Sequence, residues 1–342
     1  MANDSVWVDA ATLCVEGQGW SDCQAPFDRL PARAEGLVRP DVWSLGQHSS
    51  GVTVRFVTDA IAIRARWTLA GEPAAMAQTT LIACCGLDLY AKASTGQWRW
   101  VGNSREVPAR TSETNFFASP LDGQAREYKL YLPVFSQVLK LEIGVPLGAT
   151  LKTVPVRPER PIVYYGTSII HGVGTSRPGM TIPALLGRRL DYPIISLGLS
   201  GNALMEPEVA ELLAELDPAV YVLDALPNMV GPLVQERAEA FLRRLAQARP
   251  GTPLVLVEDR TYPYMWVSSP AHDENQPRRA AFRQVYGNLL SAGIGPLHYL
   301  EGDALLGADG DGTGDGSHAN DLGASRMADA LLPVLQRVLS GL

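Results

Sequence analysis

Short stretches in which hydrophobic and polar residues alternate follow one another up to about residue 155, separated by Gly, Pro, Asn and Asp. The clearest are 52–57 and 61–69, separated by Thr58 and Asp59, and they predict a hairpin with one face against a core. Short strands at regular spacing are typical of a β-sandwich, here predicted as the jelly-roll type. Further strands are predicted at 79–83, 87–91, 98–101, 126–132 and 138–143.

From residue 161 onward, short apolar runs alternate with amphipathic helical segments. Strands are predicted at 162–165, 193–197, 219–223, 254–257 and 296–300, and helices at 183–190, 207–216, 234–248, 278–291 and 322–339. Strands that alternate with helices form a parallel sheet covered on both faces. We therefore predict an α/β fold, a three-layer α/β/α domain of the flavodoxin-like kind with about five parallel strands. Because 342 residues exceed the usual size of one core, two domains are predicted, a sandwich over 1–157 and the α/β domain over 158–342.

Charge and hydropathy argue against two classes of binding partner, nucleic acids and membranes. The formal net charge is −7 and there is no Lys/Arg cluster, which argues against binding of nucleic acid. No apolar run reaches the roughly 18 residues of a membrane span, so no membrane partner is expected. The N-terminal residues lack a basic region followed by an apolar run, which predicts a cytoplasmic protein, or an exported one if a signal peptide has been removed. The sequence leaves the oligomeric state open, homo-oligomers included.

Polar residues follow several of the predicted strands. Ser168 lies just past the first strand of the α/β half, Gly201 past the second and Asn228 past the third. Asp315 and His318 lie between the fifth strand and the last helix. Ligands of such sheets bind beyond the carboxyl ends of the strands, where these loops gather. We therefore expect the five residues to lie at one edge of the sheet.

A serine, a histidine and a carboxylate together can perform acyl transfer. A serine hydroxyl is a poor nucleophile until a histidine takes its proton, and a carboxylate must then stabilise the imidazolium. Taken singly, each residue has a simpler interpretation: Ser168 could cap a helix and His318 could bind solvent. Asp315 lies in a Gly-rich tract, 308–316, which could be a solvated loop or a weak calcium site.

Four short blocks in this half resemble those of the SGNH hydrolases, the GDSL-like esterase superfamily. In chain order they are Gly-Thr-Ser-Ile at 166–169, Gly-Leu-Ser-Gly-Asn at 198–202, Pro-Asn at 227–228 and Asp-Gly-Ser-His at 315–318. The resemblance covers 160–342. The upstream sandwich resembles the N-terminal domain of a subset of these enzymes, many of them carbohydrate esterases. One departure is Thr167, which stands where the family usually has aspartate.

The resemblance implies a role for each candidate residue. Ser168 would be the nucleophile, His318 the general base and then the general acid, and Asp315 the residue that orients His318. The backbone N–H groups of Ser168 and Gly201 and the side chain of Asn228 would stabilise the oxyanion.

The expected function is that of a serine esterase. It would remove a short acyl group, acetyl above all, from a hydroxylated small molecule or carbohydrate through an acyl-enzyme, without a metal or an organic cofactor. Two alternatives stay open: a lipase, thioesterase or amidase with the same triad, or a non-catalytic carbohydrate-binding protein. Asp224 is expected to be a buried carboxylate that fixes the loop of Asn228. His171 is expected to be structural, with a contact to the substrate as the alternative. Trp98 and Trp100 share one strand face and are either core residues or a sugar platform.

Overall fold

The computed structural model describes residues 5–106 and 109–341. Its N-terminal strands form two antiparallel sheets, one in the order β1-β9-β4-β7 and one in the order β10-β3-β8-β5-β6, with β2 also paired to β3. Two short helices, α1 (Pro40–Gly46) and α2 (Leu81–Cys85), interrupt them. The strands are β1 (Ser5–Asp9), β2 (Cys14–Glu16), β3 (Thr53–Thr58), β4 (Arg64–Leu69), β5 (Asp88–Lys92), β6 (Trp98–Asn103), β7 (Thr111–Asn115), β8 (Arg126–Tyr131), β9 (Val138–Pro146) and β10 (Leu151–Thr153).

The two sheets share one hydrophobic core. Alternation places Ala65, Trp67 and Leu69 of β4 inside, and they cluster with side chains of the other sheet such as Phe56 and Leu130. The antiparallel β-rich region is therefore confirmed, while its jelly-roll connectivity stays a prediction.

Two predictions about this region are wrong. The stretches 52–57 and 61–69 do not pair as a hairpin, because β3 and β4 belong to different sheets and the intervening residues carry the chain across. The stretch 79–83 is not a strand but leads into α2. The start of α2 is fixed by Thr80, whose hydroxyl accepts the N–H of Ala83 at 3.0 Å and caps the helix.

The C-terminal half is a five-stranded parallel sheet in the order β12-β11-β13-β14-β15, as predicted. Its strands are β11 (Ile162–Gly166), β12 (Ile194–Gly198), β13 (Val220–Asp224), β14 (Leu254–Val257) and β15 (Leu297–Leu300). Its helices are α3 (Ser168–His171), α4 (Ile182–Leu190), α5 (Pro207–Glu215), α6 (Gly231–Ala248), α7 (Ser269–Ser291) and α8 (Asp321–Ser340).

Successive residues of each buried strand contribute to opposite faces of this sheet. One face packs against α5, α6 and α7, and the other against α3, α4 and α8. The result is three layers, with the strand ends and their loops left at the edges. None of the helices within 5–106 and 109–341 combines the length and the apolar character needed to cross a bilayer.

Part of the N-terminal region packs on the α/β half. Leu30, Ala34, Val38 and Val42 join the hydrophobic cluster of β12, α5 and α6. The buried Arg29 donates hydrogen bonds to the carbonyl groups at the end of β12. The predicted division at residue 157 stays a prediction, and residues near 30–42 lie against the second half although they precede that boundary.

Candidate active site

Ser168, His318 and Asp315 meet at the carboxyl edge of the parallel sheet. Ser168 is the first residue of α3, directly after β11, and the other two lie in the loop before α8. The Ser168 hydroxyl lies 2.9 Å from Nε2 of His318. Nδ1 of His318 lies 2.6 Å from Oδ2 of Asp315. The structure thus brings the three side chains that the sequence singled out into one hydrogen-bonded series.

The backbone of its own loop holds the Asp315 carboxylate in place. Oδ1 of Asp315 accepts the N–H groups of Ser317 at 2.9 Å and His318 at 2.8 Å. Partial burial acts to raise the pKa of Asp315, but the N–H and imidazole donors outweigh it and hold that pKa below its usual value. An ionised Asp315 accepts Nδ1–H and leaves Nε2 of His318 without a proton, which is the tautomer that can accept the hydroxyl proton of Ser168.

The three candidate oxyanion donors follow neighbouring strands. The strand before Ser168, β11, lies between β12, which precedes Gly201, and β13, which precedes Asn228. Gly201 has a φ of +71°, and a Cβ on it would meet no atom within 4 Å, so the space beside its backbone is open. Oδ1 of Asn228 accepts the N–H of Ala203 at 3.3 Å. Within the described ranges the Nδ2 group of Asn228 has no acceptor, and it is therefore available as a donor.

Sequence reasoning missed two N-terminal arginines, of which Arg29 binds β12 and Arg39 binds the loop of Gly201. Arg29 donates to the carbonyl oxygens of Ser196 at 3.1 Å and Gly198 at 2.9 Å. Arg39 donates to Oδ1 of Asn202 at 2.7 Å. The available signal was a charged pair enclosed by apolar residues, as Asp28 and Arg29 are in Phe-Asp-Arg-Leu at 27–30. An arginine in such a position is usually buried only when its guanidinium is fully engaged.

Thr167 occupies the position where the family pattern has aspartate. Its side chain is fully buried, and within the described part of the chain its hydroxyl has no hydrogen-bond partner. It precedes α3 without capping it through its side chain. The turn is fixed by the backbone instead, since the carbonyl of Ser168 accepts the N–H groups of Gly172 at 3.0 Å and Val173 at 2.9 Å.

Asp224 is buried at the end of β13, as expected. It accepts hydrogen bonds from Arg260 at 2.7 Å and from the hydroxyl of Tyr164 at 3.3 Å. Burial raises the pKa of Asp224, and the charge of Arg260 opposes that effect. Arg278 of α7 donates to the carbonyl of Pro227 at 3.5 Å and so contacts the loop of Asn228. That Asp224 fixes this loop stays a prediction.

His171 is a structural residue and not a second base. It is fully buried and stacks on Phe135 with ring centroids 4.2 Å apart. Its Nε2 lies 3.3 Å from Nδ1 of His48. Burial and then the charge of Arg29 lower the pKa of both rings, to about 4 for His48 and well below the usual value for His171. Both histidines therefore stay neutral at physiological pH.

Several aromatic residues lie near the site or between the halves. Trp98 is buried and donates to Asp191 of the α/β half at 2.8 Å, so it is not a free sugar platform. Trp100 is half-exposed. The ring of Tyr264 lies about 3.1 Å from where a Cβ on Gly316 would stand, next to Asp315. Trp266, in the same loop, is 86% exposed.

The acidic tract before His318 is occupied by protein contacts. Asp309 binds the guanidinium of Arg326 at 2.6 and 2.7 Å, and Asp315 binds His318. In the ranges that the structure describes, no group of three or more His, Cys, Asp or Glu side chains could hold a metal ion.

Comparison with known proteins adds two matches to family models. Residues 159–336 match the GDSL-like lipase/acylhydrolase family, and residues 5–151 match the N-terminal region of SGNH-hydrolase-type esterases, a model named for the motif Gly-x-Asp-Leu-Tyr. The chain carries that motif as Gly-Leu-Asp-Leu-Tyr at 86–90. A search of curated proteins found no match.

Solved structures share the whole architecture. A protein from Bacteroides ovatus described as a GDSL-like lipase is 31% identical, with 98% of each chain covered and a TM-score of 0.93. A salicylyl-acyltransferase, SsfX3, from a tetracycline biosynthetic pathway is 21% identical, with 98% of this chain and 97% of that chain covered and a TM-score of 0.76. A family two carbohydrate esterase from Cellvibrio japonicus is 13% identical, with 99% of each chain covered and a TM-score of 0.60.

Proposed function

Since the chain belongs to the GDSL-like lipase/acylhydrolase family, we propose that it is a serine esterase that works through an acyl-enzyme. The acyl group removed is short, acetyl in the first instance, and the substrate is a hydroxylated small molecule or a carbohydrate. One observation carries the proposal: the continuous series of hydrogen bonds from the Ser168 hydroxyl through His318 to Asp315.

In the first step, Oγ of Ser168 attacks the carbonyl carbon of the ester while its proton passes to Nε2 of His318. Asp315 accepts Nδ1–H throughout and stabilises the imidazolium without taking its proton. When the tetrahedral intermediate collapses, the bond to the alcohol oxygen breaks and His318 returns the proton to that oxygen. The alcohol leaves, and the acyl group stays on Ser168.

The tetrahedral intermediate places a negative charge on the former carbonyl oxygen. The backbone N–H groups of Ser168 and Gly201 and the Nδ2 group of Asn228 are the proposed donors to it. Preorganised donors of this kind contribute transition-state stabilisation because they need no reorientation as the charge develops.

In the second half-reaction, His318 takes a proton from water, and the hydroxide formed attacks the acyl carbon. Collapse of the second intermediate breaks the bond to Oγ, and His318 gives its proton to Ser168. The carboxylic acid leaves and the enzyme is restored. Every proton is carried by groups of the chain, so the proposed cycle involves no metal or organic cofactor.

The choice of acetyl and carbohydrate rests on analogy of fold. Two proteins described as family two carbohydrate esterases, 13% and 14% identical, and one described as an acetyl xylan esterase, 11% identical, share this architecture. A shared fold supports a substrate class without fixing it.

The test is acetate release from a panel of acetylated sugars, combined with intact-mass spectrometry of the quenched enzyme. We expect acetate release and a transient mass increase of one acetyl group on the wild type. The variant Ser168→Ala should show neither. Hydrolysis by Ser168→Ala at the wild-type rate would contradict the triad assignment, and binding of sugars without any turnover by the wild type would favour a non-catalytic carbohydrate-binding protein.

A longer apolar acyl group is the second candidate. The loop that carries Tyr264 packs on Gly316, and the same loop exposes Trp266 at 86% and Val267 at 65%. Exposed apolar side chains beside a site are typical of ligand contact. A series of nitrophenyl esters from acetyl to dodecanoyl separates the candidates: rates that rise with chain length, and fall in Trp266→Ala for the long esters alone, would favour a lipase.

A further inference from the structure

The motif at 86–90 places a fully buried carboxylate against the α/β half. Oδ2 of Asp88 accepts Nη1–H of Arg177 at 2.7 Å and the N–H of Gly179 at 2.9 Å. Oδ1 of Asp88 accepts Nε1–H of Trp100 at 2.8 Å. Asp88 has no exposed surface. Since all three neighbours are donors, this position requires a side chain that only accepts hydrogen bonds.

The other residues of the motif fit the same contact. Arg177 also donates to the hydroxyl of Tyr90. A Cβ on Gly179 would lie 2.5 Å from Cε2 of Tyr90 and 2.6 Å from Oδ2 of Asp88. The α/β half therefore approaches the motif so closely that residue 179 must lack a side chain. Gly86 ends α2 under similar crowding, because a Cβ there would lie 2.7 Å from the carbonyl oxygen of Ile82.

The stretch 172–180, which follows the helix of Ser168, also contacts the histidine loop. The N–H of Ser176 donates to Oδ1 of Asp321 at 2.9 Å, and its hydroxyl donates to Oδ2. Asp321 begins α8, three residues after His318. A Cβ on Gly174 would lie 3.4 Å from Cβ of His318 and 2.5 Å from the carbonyl oxygen of Ala319. The stretch 172–180 thus sits directly against the loop that carries the base.

A second pair of contacts joins the sandwich to this stretch. The hydroxyl of Thr79 accepts the N–H of Gly174 at 3.0 Å. The hydroxyl of Thr80 donates to the carbonyl of Ser176 at 2.6 Å. Helix α2 starts directly after Thr80 and ends at Gly86, so it holds these threonines in a fixed relation to Asp88.

From these contacts we propose that Asp88 is a positioning residue for the reaction at Ser168. Through Arg177 and Gly179 it fixes the stretch 172–180, and through that stretch it sets where His318 stands relative to the Ser168 hydroxyl. The inference rests on the proposed function, since it assigns a role in that same reaction. Proton transfer needs close alignment, and a displacement of about 1 Å can cost roughly 10²-fold in rate.

The test compares Asp88→Asn with Asp191→Asn. Asp191 also joins the two halves, through Lys92 at 2.6 Å and Trp98 at 2.8 Å, but it binds no residue of 172–180. Its backbone is left-handed, with a φ of 47°, which asparagine tolerates well. In Asp88→Asn, an NH₂ group replaces one carboxylate oxygen and faces N–H donors, so at least one hydrogen bond is lost. We expect its kcat to fall by about 10- to 100-fold with KM changed by less than about 3-fold, and Asp191→Asn to keep kcat within about 2-fold.

A second readout is the rate at which a fluorophosphonate labels Ser168. It is measured at a temperature well below the unfolding midpoint of each variant. Asp88→Asn should be labelled more slowly by a similar factor, because labelling also needs His318 in place. Folded Asp88→Asn with wild-type labelling and kcat would overturn the inference, and so would equal losses in both variants. A wild type that is not labelled contradicts the proposed function itself.

Two further variants keep the test decisive if Asp88→Asn does not fold. Gly179→Ala crowds the same contact from the α/β side and should lower kcat in the same way. Tyr90→Phe removes one acceptor of Arg177 but keeps the ring, and a loss of about 3- to 10-fold is expected. Wild-type kcat in both folded variants would also overturn the inference.

Discussion

Polar groups at the carboxyl edge of the parallel sheet differ in exposure from those where the sandwich meets the α/β half. At the edge of the α/β half, the side chains of His318 and Asp315 keep 22% and 29% of their surface exposed. In the sandwich, Asp88 is completely buried and each of its oxygens is bonded. Reacting groups must stay within reach of a substrate, whereas groups that hold other groups in place lose nothing by burial when they are fully paired. The difference supports the two proposed roles, reaction at the edge of the α/β half and alignment at Asp88.

The largest effect that would test this division is expected in Asp315→Asn. An amide cannot accept Nδ1–H while presenting its NH₂ group to the imidazole, so His318 would hold the wrong tautomer and kcat should fall by about 10³- to 10⁴-fold. The matched control is Asp309→Asn in the same tract, which loses a surface pair with Arg326 and should retain kcat within about 2-fold. Steady-state kinetics on one nitrophenyl ester measures both, and equal rates would remove Asp315 from the mechanism.

The same assay against pH adds a second check. The pKa of Asp315 is held below its usual value, so this carboxylate stays ionised in mildly acidic solution. We expect kcat/KM of the wild type to fall on acidification, because only a neutral imidazole can take the proton of Ser168. A rate that is flat from mildly acidic to neutral pH would contradict the role of His318 as base.

Trp67→Ala should separate stability from chemistry. Trp67 is 1% exposed in the sandwich core and donates to the carbonyl of Cys85 at 3.1 Å. Its loss leaves a cavity and an unpaired carbonyl, which should lower the free energy of unfolding by about 3–5 kcal/mol. Urea unfolding measures that loss, and kcat of the folded fraction should match the wild type. A reduced kcat would show that packing anywhere in the sandwich, and not the contact of Asp88 alone, affects the reaction.

Asn228→Ala tests the oxyanion donors at the edge of the α/β half. Removing one such donor typically costs about 10²- to 10³-fold in kcat, with little effect on KM. Asn228→Asp keeps the acceptor for Ala203 but replaces the donor by a negative charge, so it should be slower still. If both variants react at the wild-type rate, Asn228 only shapes its loop.

The smallest effect concerns the buried histidines between the halves. Because the pKa of His48 is lowered to about 4 in the folded chain, the unfolded chain binds an extra proton between pH 4 and about 6.5. Stability should therefore decrease as the pH is lowered through that window, and this group should contribute about 3 kcal/mol to the decrease. His48→Asn should show a shallower dependence in urea unfolding at a series of pH values. Identical slopes would place the acid sensitivity elsewhere.

The sequence was more informative about the α/β half than about the sandwich. Every predicted strand from 162 onward lies within a residue or two of the observed one, because buried parallel strands are short apolar runs bounded by polar loops. Helix α7 begins at Ser269 and not near 278, since its first turns are polar and contain Pro270 and Pro277. Such turns carry no amphipathic signal.

In the sandwich, the alternation of hydrophobic and polar residues predicted β4 and β8 but not the strands that each of them pairs with. A strand of alternating pattern fits either sheet, so the passage of the chain from one sheet to the other at 59–63 looked like a hairpin turn. The strand β7 was missed because Thr-Ser-Glu-Thr-Asn has no apolar position. The meeting of Ser168 with His318 could be predicted because loops after parallel strands gather at one edge of the sheet. The contacts of Asp88 depend instead on how the sandwich packs on the α/β half, which no local pattern predicts.

The missing side chain at position 179 has a consequence for recombination. A crossover placed between 154 and 161 would give a hybrid enzyme with a sandwich from one relative and an α/β half from another. The sandwich must then supply the equivalents of Asp88 and Tyr90 to the equivalents of Arg177 and Gly179. A sandwich without that carboxylate would leave the guanidinium of Arg177 without its charged partner. An α/β half with any bulkier residue at 179 would clash with the sandwich. The two halves are therefore expected to be exchanged between relatives as a matched pair.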